Sequence, residues 1–190
     1  LKAAGPLPSW IVLQSFGKEN VWRYPAISEL RYMTYYAMTK GVKGFFFFIY
    51  QTLPHHPEGL QGLVDADLAP RDLYFEVRYL SRRLKALSAT ILRMTPTKPF
   101  ASVPDKFDTG FYRDSDGSWC VAVVNRDLMN SRYVPIRLEE WVRPKPNRVQ
   151  DIATGEETSF LWDVGPHSTR ILLGPAEGTI VRFSTKEEAR

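Results

Sequence analysis

Two short apolar runs alternate with two longer amphipathic segments in the first half of the chain. The runs SWIVLQSFG (9–17) and GFFFFIYQT (44–52) have almost no polar side, which predicts two strands buried on both faces. The segments that follow them, 26–41 and 73–91, repeat apolar residues at spacings of three and four, which is typical of helices. The order strand, helix, strand, helix predicts a right-handed βαβα arrangement with a parallel sheet.

The pattern of the second half is different. After the proline-rich segment TPTKPF (95–100), about seven short apolar runs alternate with clusters of Gly, Pro, Asn and Asp, at a spacing typical of an antiparallel β-sandwich. The runs cover 100–103, 106–114, 118–125, 131–139, 147–152, 158–164 with 168–174, and 178–184. The sequence therefore predicts two domains, with β/α units in residues 1–95 and a sandwich in residues 96–190.

Two parallel strands alone cannot close a sheet or cover both of its faces. The first domain is therefore either an unusual two-layer domain or the last quarter of a (β/α)8 TIM barrel. The barrel fits better, because both long loops follow strand C-termini, the face at which TIM barrels build their sites. The predicted fold class is α/β plus all-β: the end of a TIM barrel followed by an antiparallel β-sandwich domain. Since the chain starts at Leu1 and soon enters a strand, we expect a processed product or the tail of a longer protein.

Residues 9–52 also carry a spaced pattern: W-x-x-x-Q-x-F, W-R-x-P, E-x-R-x-M-x-Y-x-A, and G-x-x-G before an aromatic strand that ends in Tyr. This pattern resembles the seventh and eighth β/α units of glycoside-hydrolase-like TIM barrels. The matching residues are Trp10, Gln14, Phe16, Trp22, Arg23, Pro25, Glu29, Arg31, Met33, Tyr35, Ala37, Gly41, Gly44 and Tyr50. The segments VAVVNRD, VQDIATGEE and GPHSTRILLG resemble the β-sandwich that follows such barrels, so the resemblance covers nearly the whole chain.

The resemblance implies that the complete protein hydrolyses glycosidic bonds. In glycosidases of this barrel group, the acid/base carboxylate follows the fourth strand and the nucleophile follows the seventh. The fourth strand lies outside this sequence, and Gln14 stands at the end of the strand that corresponds to the seventh. Because an amide can neither attack an anomeric carbon nor hold a catalytic proton, the catalytic residues stay unassigned. This chain would supply the barrel rim and the accessory sandwich. The alternative is a non-catalytic carbohydrate-binding or structural protein on a decayed barrel.

Four residues are candidates for contact with a carbohydrate ligand: Gln14, Glu19, Trp22 and Tyr50. An amide and aromatic rings at a barrel mouth suit hydroxyl-rich ligands, which need hydrogen bonds and a flat apolar face. In a second interpretation, Gln14 only satisfies backbone groups of the loop that follows it. Glu19 either swings into the mouth or is a solvated loop charge.

Glu29, one turn into a helix, is interpreted as a structural group that complements the helix dipole and pairs with Arg23 or another loop residue.

Composition and charge mainly exclude some classes of function. The formal net charge is +4, from 25 Lys and Arg against 21 Asp and Glu, without a long run of one sign, so we expect no nucleic-acid binding. No apolar run approaches the ~20 residues of a membrane span, so we expect no membrane contact. The single cysteine, Cys120, lies in an apolar run and is interpreted as a core residue.

The sequence also gives expectations about cofactors, partners and cellular location. His55 and His56 have no third ligand at a regular spacing, so neither a metal nor another cofactor is expected. The expected partners are a carbohydrate ligand and either the remainder of the barrel or a partner chain that completes it. The compartment stays open, with a secreted or periplasmic location favoured over a cytoplasmic one.

Overall fold

A computed structural model of the chain describes residues 7–53, 59–143, 145–158, 160 and 167–185. The two helices in these residues are α1 (Ile27–Thr39) and α2 (Asp72–Arg93). The strands are β1 (Trp10–Gln14), β2 (Gly17–Lys18), β3 (Gly44–Phe48), β4 (Leu60–Gln61), β5 (Thr95–Pro96), β6 (Ala101–Ser102), β7 (Phe107–Arg113), β8 (Trp119–Asn125), β9 (Arg132–Leu138), β10 (Arg148–Asp151), β11 (Glu157–Thr158), β12 (Ser168–Leu173) and β13 (Gly178–Ser184). Helix α1 lies in the first segment with helical spacing, α2 covers the second and extends slightly beyond both of its ends, and seven strands of the second half lie within the predicted runs.

The first two long strands, β1 and β3, pair in parallel, with Trp10 opposite Gly44 and Gln14 opposite Phe48. Their burial alternates, which corrects the prediction that both faces are buried. Leu13 is buried on the face toward the helices, whereas Trp10 and Val12 are each 63% exposed. Phe46, beside Val12, is 52% exposed. The described residues cover only the face of the pair that lies toward the helices.

Helix α1 connects the two halves of the molecule. Its first turn is closed by Glu29, whose carboxylate accepts a hydrogen bond of 2.8 Å from the backbone N–H of Ala26. Its inner face contacts β1 as well as β7 and β8. The helix lies close to the sheet because two glycines face it. A Cβ at Gly178 would come within 2.7 Å of the Tyr35 side chain, and one at Gly110 would come within 2.1 Å of the Thr39 carbonyl oxygen.

Helix α2 packs against α1. Leu73, Leu80 and Leu87, spaced by seven residues, are buried completely or almost completely. Between the helices, the guanidinium of Arg31 donates two hydrogen bonds of 2.7 Å to the carboxylate of Glu76. Because this carboxylate is nearly excluded from water, the bidentate pair fixes the relative position of the two helices.

The second half of the chain contributes two antiparallel sheets. The larger has six strands in the order β11-β10-β13-β8-β7-β5, and the smaller has three in the order β12-β9-β6. Strand β8 lies within the larger sheet, paired with β7 through Thr109 opposite Val123 and with β13 through Val181 opposite Val121. Every residue of β8 is buried.

Two apolar clusters lie on opposite faces of the six-stranded sheet. On one face, Cys120, Ala122 and Val124 join the cluster that includes residues of α1, α2 and β1. On the other, Trp119, Val121 and Val123 join a cluster shared with β9 and β12 of the smaller sheet, which includes Val134, Ile136, Ile171 and Leu173. Cys120 is fully buried, and burial raises the pKa of its thiol to about 12, which confirms its interpretation as a core residue.

Candidate functional site

A groove of about 450 Å³ opens beside the C-terminal end of β1. It is lined by Gln14, Val21, Trp22, Arg23, Pro25, Glu29, Tyr32, Met33 and Leu128. Most of these residues belong to the loop between β1 and α1 or to the first turns of α1, and Leu128 comes from the loop after β8. The groove therefore lies at the edge where parallel strands end, which is the edge at which open and closed α/β sheets place their ligands.

Gln14 is tied to the loop that carries the other groove residues. Its side-chain Nε2 donates hydrogen bonds to the carbonyl oxygens of Phe16 (3.0 Å) and Arg23 (3.2 Å). Both hydrogens of the amide nitrogen are thereby directed at loop backbone groups. This geometry corresponds to the second interpretation of the sequence, in which Gln14 holds the loop after the strand.

Trp22 is the exposed aromatic residue of the groove. Its ring packs edge-on against Phe16, with the ring centroids 5.7 Å apart, and Phe16 packs in the same manner against Phe48 at the end of β3. Trp22 nevertheless stays 52% exposed. A ring that is supported at one edge and open to water provides a fixed apolar platform.

Glu29 lines the groove, but both of its carboxylate oxygens already accept hydrogen bonds. Arg23 donates hydrogen bonds from Nη1 (2.5 Å) and Nη2 to its two carboxylate oxygens, and the Ala26 N–H donates a third. The bonds from Arg23 and Ala26 lower the pKa of Glu29 to about 2. The carboxylate is therefore ionised at neutral pH and cannot act as a general acid. The ion pair and the helix cap confirm its interpretation as a structural group.

Tyr32, which lines the groove, belongs to a cluster of three polar side chains with Asp108 and Arg126. The Tyr32 hydroxyl donates a hydrogen bond of 2.6 Å to Asp108, and Arg126 holds the same carboxylate through bonds of 2.8 and 2.7 Å. The bonds from Arg126 lower the pKa of Asp108, whereas burial and the bond to Asp108 raise the pKa of Tyr32 to about 12. Sequence reasoning missed this cluster, because its members are far apart in the chain and follow no motif.

Glu19 and Tyr50 are less closely associated with the groove. Glu19 is exposed in the turn after β2, where it lines a neighbouring depression together with Trp22. Tyr50 is 57% exposed after the end of β3, and its backbone carbonyl accepts a hydrogen bond from the N–H of Val64. The structure thus brings Gln14 together with Trp22, and Trp22 together with Glu19. Tyr50 lines neither depression.

The described residues contain no group of three or more His, Cys, Asp or Glu that could hold a metal ion. His55 and His56 lie outside the described residues. Neither helix of the described structure is long and apolar enough to cross a membrane.

Comparison with known proteins identifies similar folds. No protein-family model matches the sequence, and no curated protein sequence matches it. Among solved structures, a GH27 β-L-arabinopyranosidase from Geobacillus stearothermophilus is similar with a TM-score of 0.55 and 15% identity over 96% of this chain. A variant of that enzyme in complex with arabinose gives a TM-score of 0.54 and 15% identity over 95% of this chain. An α-fucosidase from Thermotoga maritima in complex with fucose gives 0.51 and 14% over 92%.

This chain spans only part of those proteins. It covers 38% of the arabinopyranosidase, with or without arabinose, and 39% of the fucosidase. At identities of 14–15% the likeness establishes the fold and not the activity. The described residues, with two helices and predominant sheet, thus have the fold of a part of glycoside-hydrolase structures, as the resemblance predicted. The limited coverage is consistent with the predicted C-terminal part.

Proposed function

We propose that this chain is the C-terminal portion of a glycoside hydrolase. Residues 1–95 form the last two β/α units of a TIM barrel, and residues 96–190 form an antiparallel β-sandwich domain. The observation that carries the proposal is the parallel pair β1 and β3, whose outward face is apolar and exposed. In a TIM barrel that face points into the interior, where side chains of the other strands cover it. The remainder of the barrel, or a partner chain that completes it, would supply those strands.

The proposed ligand is a carbohydrate bound at the rim of the barrel. Trp22 offers its open ring to the apolar face of a sugar, and Gln14 positions the loop that carries this ring. Glu19 and Tyr50 stand at the same edge and contact parts of the ligand farther from Gln14. Similar structures include a β-L-arabinopyranosidase and an α-fucosidase, which supports a glycoside as the substrate class.

The chemistry in this proposal is hydrolysis through two carboxyl groups supplied by the rest of the barrel. One protonates the leaving oxygen, and the other acts as nucleophile or base. Gln14 has no nucleophilic oxygen, and the pKa of Glu29, about 2, leaves no proton to donate at neutral pH. These two residues also support the second candidate function, a non-catalytic carbohydrate-binding protein on the same fold.

The test is a turnover assay on the full-length natural polypeptide. We expect release of nitrophenol from the nitrophenyl β-L-arabinopyranoside or α-L-fucoside. Trp22→Ala should raise KM about tenfold with a smaller change in kcat, because the ring binds ground state and transition state alike. Trp141→Ala serves as the control, since Trp141 is also exposed but lies after β9. Saturable sugar binding without hydrolysis would favour the non-catalytic protein. Neither turnover nor binding would contradict both candidate functions.

A further inference from the structure

A second groove, of about 610 Å³, lies at one end of the six-stranded sheet. It shares no lining residue with the groove beside β1. Its walls come from the ends of four neighbouring strands: Arg113 ends β7, Trp119 begins β8, Arg148 begins β10, and Ser184 ends β13. Antiparallel pairing brings these ends together, with Arg113 opposite Trp119 and Arg148 opposite Ser184. The groove is therefore built from regular, well-supported backbone.

Three guanidinium groups line this groove, those of Arg113, Arg148 and Arg182. Arg182 is bound to the buried carboxylate of Asp114, and Arg148 is bound through Nη2 to Glu157. Arg113 differs from both, since it forms no ion pair with any carboxylate of the described residues. Its guanidinium instead stacks on the ring of Trp119, with Cζ 3.7 Å from the ring centroid. This stacking fixes a positive charge at the groove without neutralising it.

Several donors at this groove have no acceptor. Within the described part of the chain, four donors of the lining residues are shielded from water and form no hydrogen bond: Nη1 of Arg113, Nε of Arg148, Nε of Arg182 and Nε1 of Trp119. Buried donors without partners are uncommon and destabilising, so a group of four around one groove indicates a missing acceptor. The three arginines are only partly buried, so small rotations of their side chains can turn these donors toward the groove. Ser118, Gln150 and Thr185 add further polar groups to its walls.

We propose that this groove binds a small oxyanion, a carboxylate, sulfate or phosphate group, between Arg113 and Arg148, whose side chains come to the end of the sheet from its opposite faces. An oxyanion presents several acceptor oxygens in a compact group, and arginine binds such groups with two parallel hydrogen bonds. One lining residue opposes the anion. Asp116 lies beside Arg182, with Oδ2 3.9 Å from Nη1, and its own charge repels an incoming anion. The position of Asp116 provides a variant that should bind more tightly than the natural protein.

Isothermal titration of the full-length natural polypeptide tests the site. The probes are sodium sulfate, sodium phosphate and sodium glucuronate, each compared with sodium chloride at the same ionic strength and with glucose. We expect saturable binding of at least one oxyanion and none of chloride or glucose. Binding of glucuronate alone would identify a carboxylate-bearing sugar, whereas binding of sulfate or phosphate would identify a free or ester-linked tetrahedral anion. The absence of binding by all three probes would overturn the proposal.

The variants distinguish this groove from any other anion site on the protein. Arg113→Gln and Arg148→Gln should each weaken binding about tenfold, because each removes a charged hydrogen bond. Asp116→Asn should tighten it, since the Asn side chain can keep the bond that Oδ1 accepts from the Ser118 N–H while the charge is lost. Arg170→Gln is the matched control, because Arg170 stacks on Tyr133 in the smaller sheet. If Arg113→Gln does not fold, the oxyanion affinities of Arg148→Gln and Asp116→Asn test the proposal. Affinity that none of these variants changes would overturn the proposal.

Discussion

The parallel pair β1 and β3 and the six-stranded antiparallel sheet differ in how completely the chain covers them. Strand β8 is buried along its whole length, because α1 packs on one face and the three-stranded sheet shares the apolar cluster on the other. Strands β1 and β3 are covered on one face only, and Trp10 and Val12 remain largely exposed on the other. Within the described residues, the antiparallel sheet is thus covered on both faces, whereas the parallel pair is covered on one.

The ion pairs of the two regions also differ in burial, and the more deeply buried pair lies beside the antiparallel sheet. Asp114, directly after β7, has a completely buried side chain that is held by both Arg93 and Arg182. Glu29, at the start of α1, is partly exposed and pairs with Arg23, which is largely in water. Buried charges must be paired with good geometry, whereas exposed pairs contribute little to stability. The carboxylate in the antiparallel sheet should therefore be the more costly of the two to remove.

The largest effect is expected from the core of the six-stranded sheet. Phe183 is fully buried between the sheets, so Phe183→Ala should lower the free energy of unfolding by ~3–5 kcal/mol through lost burial and a cavity. Phe46→Ala is the matched change in the parallel pair, where the ring is half exposed, and should change stability of this chain by less than ~0.5 kcal/mol. Urea unfolding of the chain measures both.

The same pair of variants sharpens the comparison in the full-length polypeptide. If the rest of a barrel covers the outward face of β1 and β3, Phe46→Ala should become destabilising by roughly 3 kcal/mol there, close to Phe183→Ala. A Phe46→Ala effect that stays negligible in the full-length protein would show that this face is not covered by added strands.

The next effect concerns Asp114. Burial alone would raise the pKa of Asp114, but hydrogen bonds from Arg93 and from the Ser115 N–H, together with the charges of Arg182 and Arg93, lower it to about 2. Asp114→Asn should cost ~2–3 kcal/mol at neutral pH, because the charged hydrogen bonds are lost. Glu29→Gln should cost only ~0.5–1 kcal/mol, since the pair is exposed and the cap is partly kept.

The pH dependence checks the origin of this effect. An unfolded aspartate has a pKa of about 3.9, so the stabilisation from Asp114 is fully present above about pH 4 and is lost as pH falls toward 2. Unfolding curves measured between pH 2 and pH 7 should therefore show wild type and Asp114→Asn converging at low pH. A difference in stability that stays constant over this range would contradict an electrostatic origin.

A smaller effect is expected on association. The exposed apolar face of β1 and β3 should cause the isolated chain to self-associate, because contiguous apolar surface and open strand edges favour contact between copies. Phe46→Glu should weaken this association about tenfold by placing a charge on that face. Phe75→Glu is the control, as Phe75 is similarly exposed but lies on α2. In sedimentation velocity, a monomer at high concentration, or association unchanged by Phe46→Glu, would contradict the role of this face.

The sequence predicted the positions of the helices and strands better than the burial of their faces. Helical spacing placed α1 and α2, and turn residues separated the runs that became the strands of both antiparallel sheets, because these signals are local. The apolar runs of β1 and β3 could not reveal which face this chain covers, since that depends on how the helices pack against the pair. Strand β11 crosses a predicted turn at Glu157, because pairing with β10 outweighed the local turn signal.

Residues of the groove beside β1 were predictable to a similar extent. Gln14, Trp22 and the ion pair of Glu29 with Arg23 follow from their positions at a strand end and a helix start. The bond between Tyr32 and Asp108 joins residues 76 positions apart, and its formation depends on α1 packing against β7. Such a contact is set by the tertiary fold and leaves no local pattern in the sequence.

The smallest effect concerns Gln14, whose amide joins the end of β1 to the loop of the groove. Gln14→Leu removes the hydrogen bonds to Phe16 and Arg23 and should lower the free energy of unfolding by ~1 kcal/mol, because the site is only partly buried. Gln61→Leu, an exposed glutamine in β4, is the control and should leave stability nearly unchanged. Thermal unfolding and sugar binding are measured together in the full-length polypeptide. If Gln14 holds the loop, Tm falls by a few degrees and the affinity for sugar changes little. A loss of affinity with unchanged Tm would instead assign Gln14 to direct contact with the sugar and would place the parallel pair, rather than its loop, at the ligand.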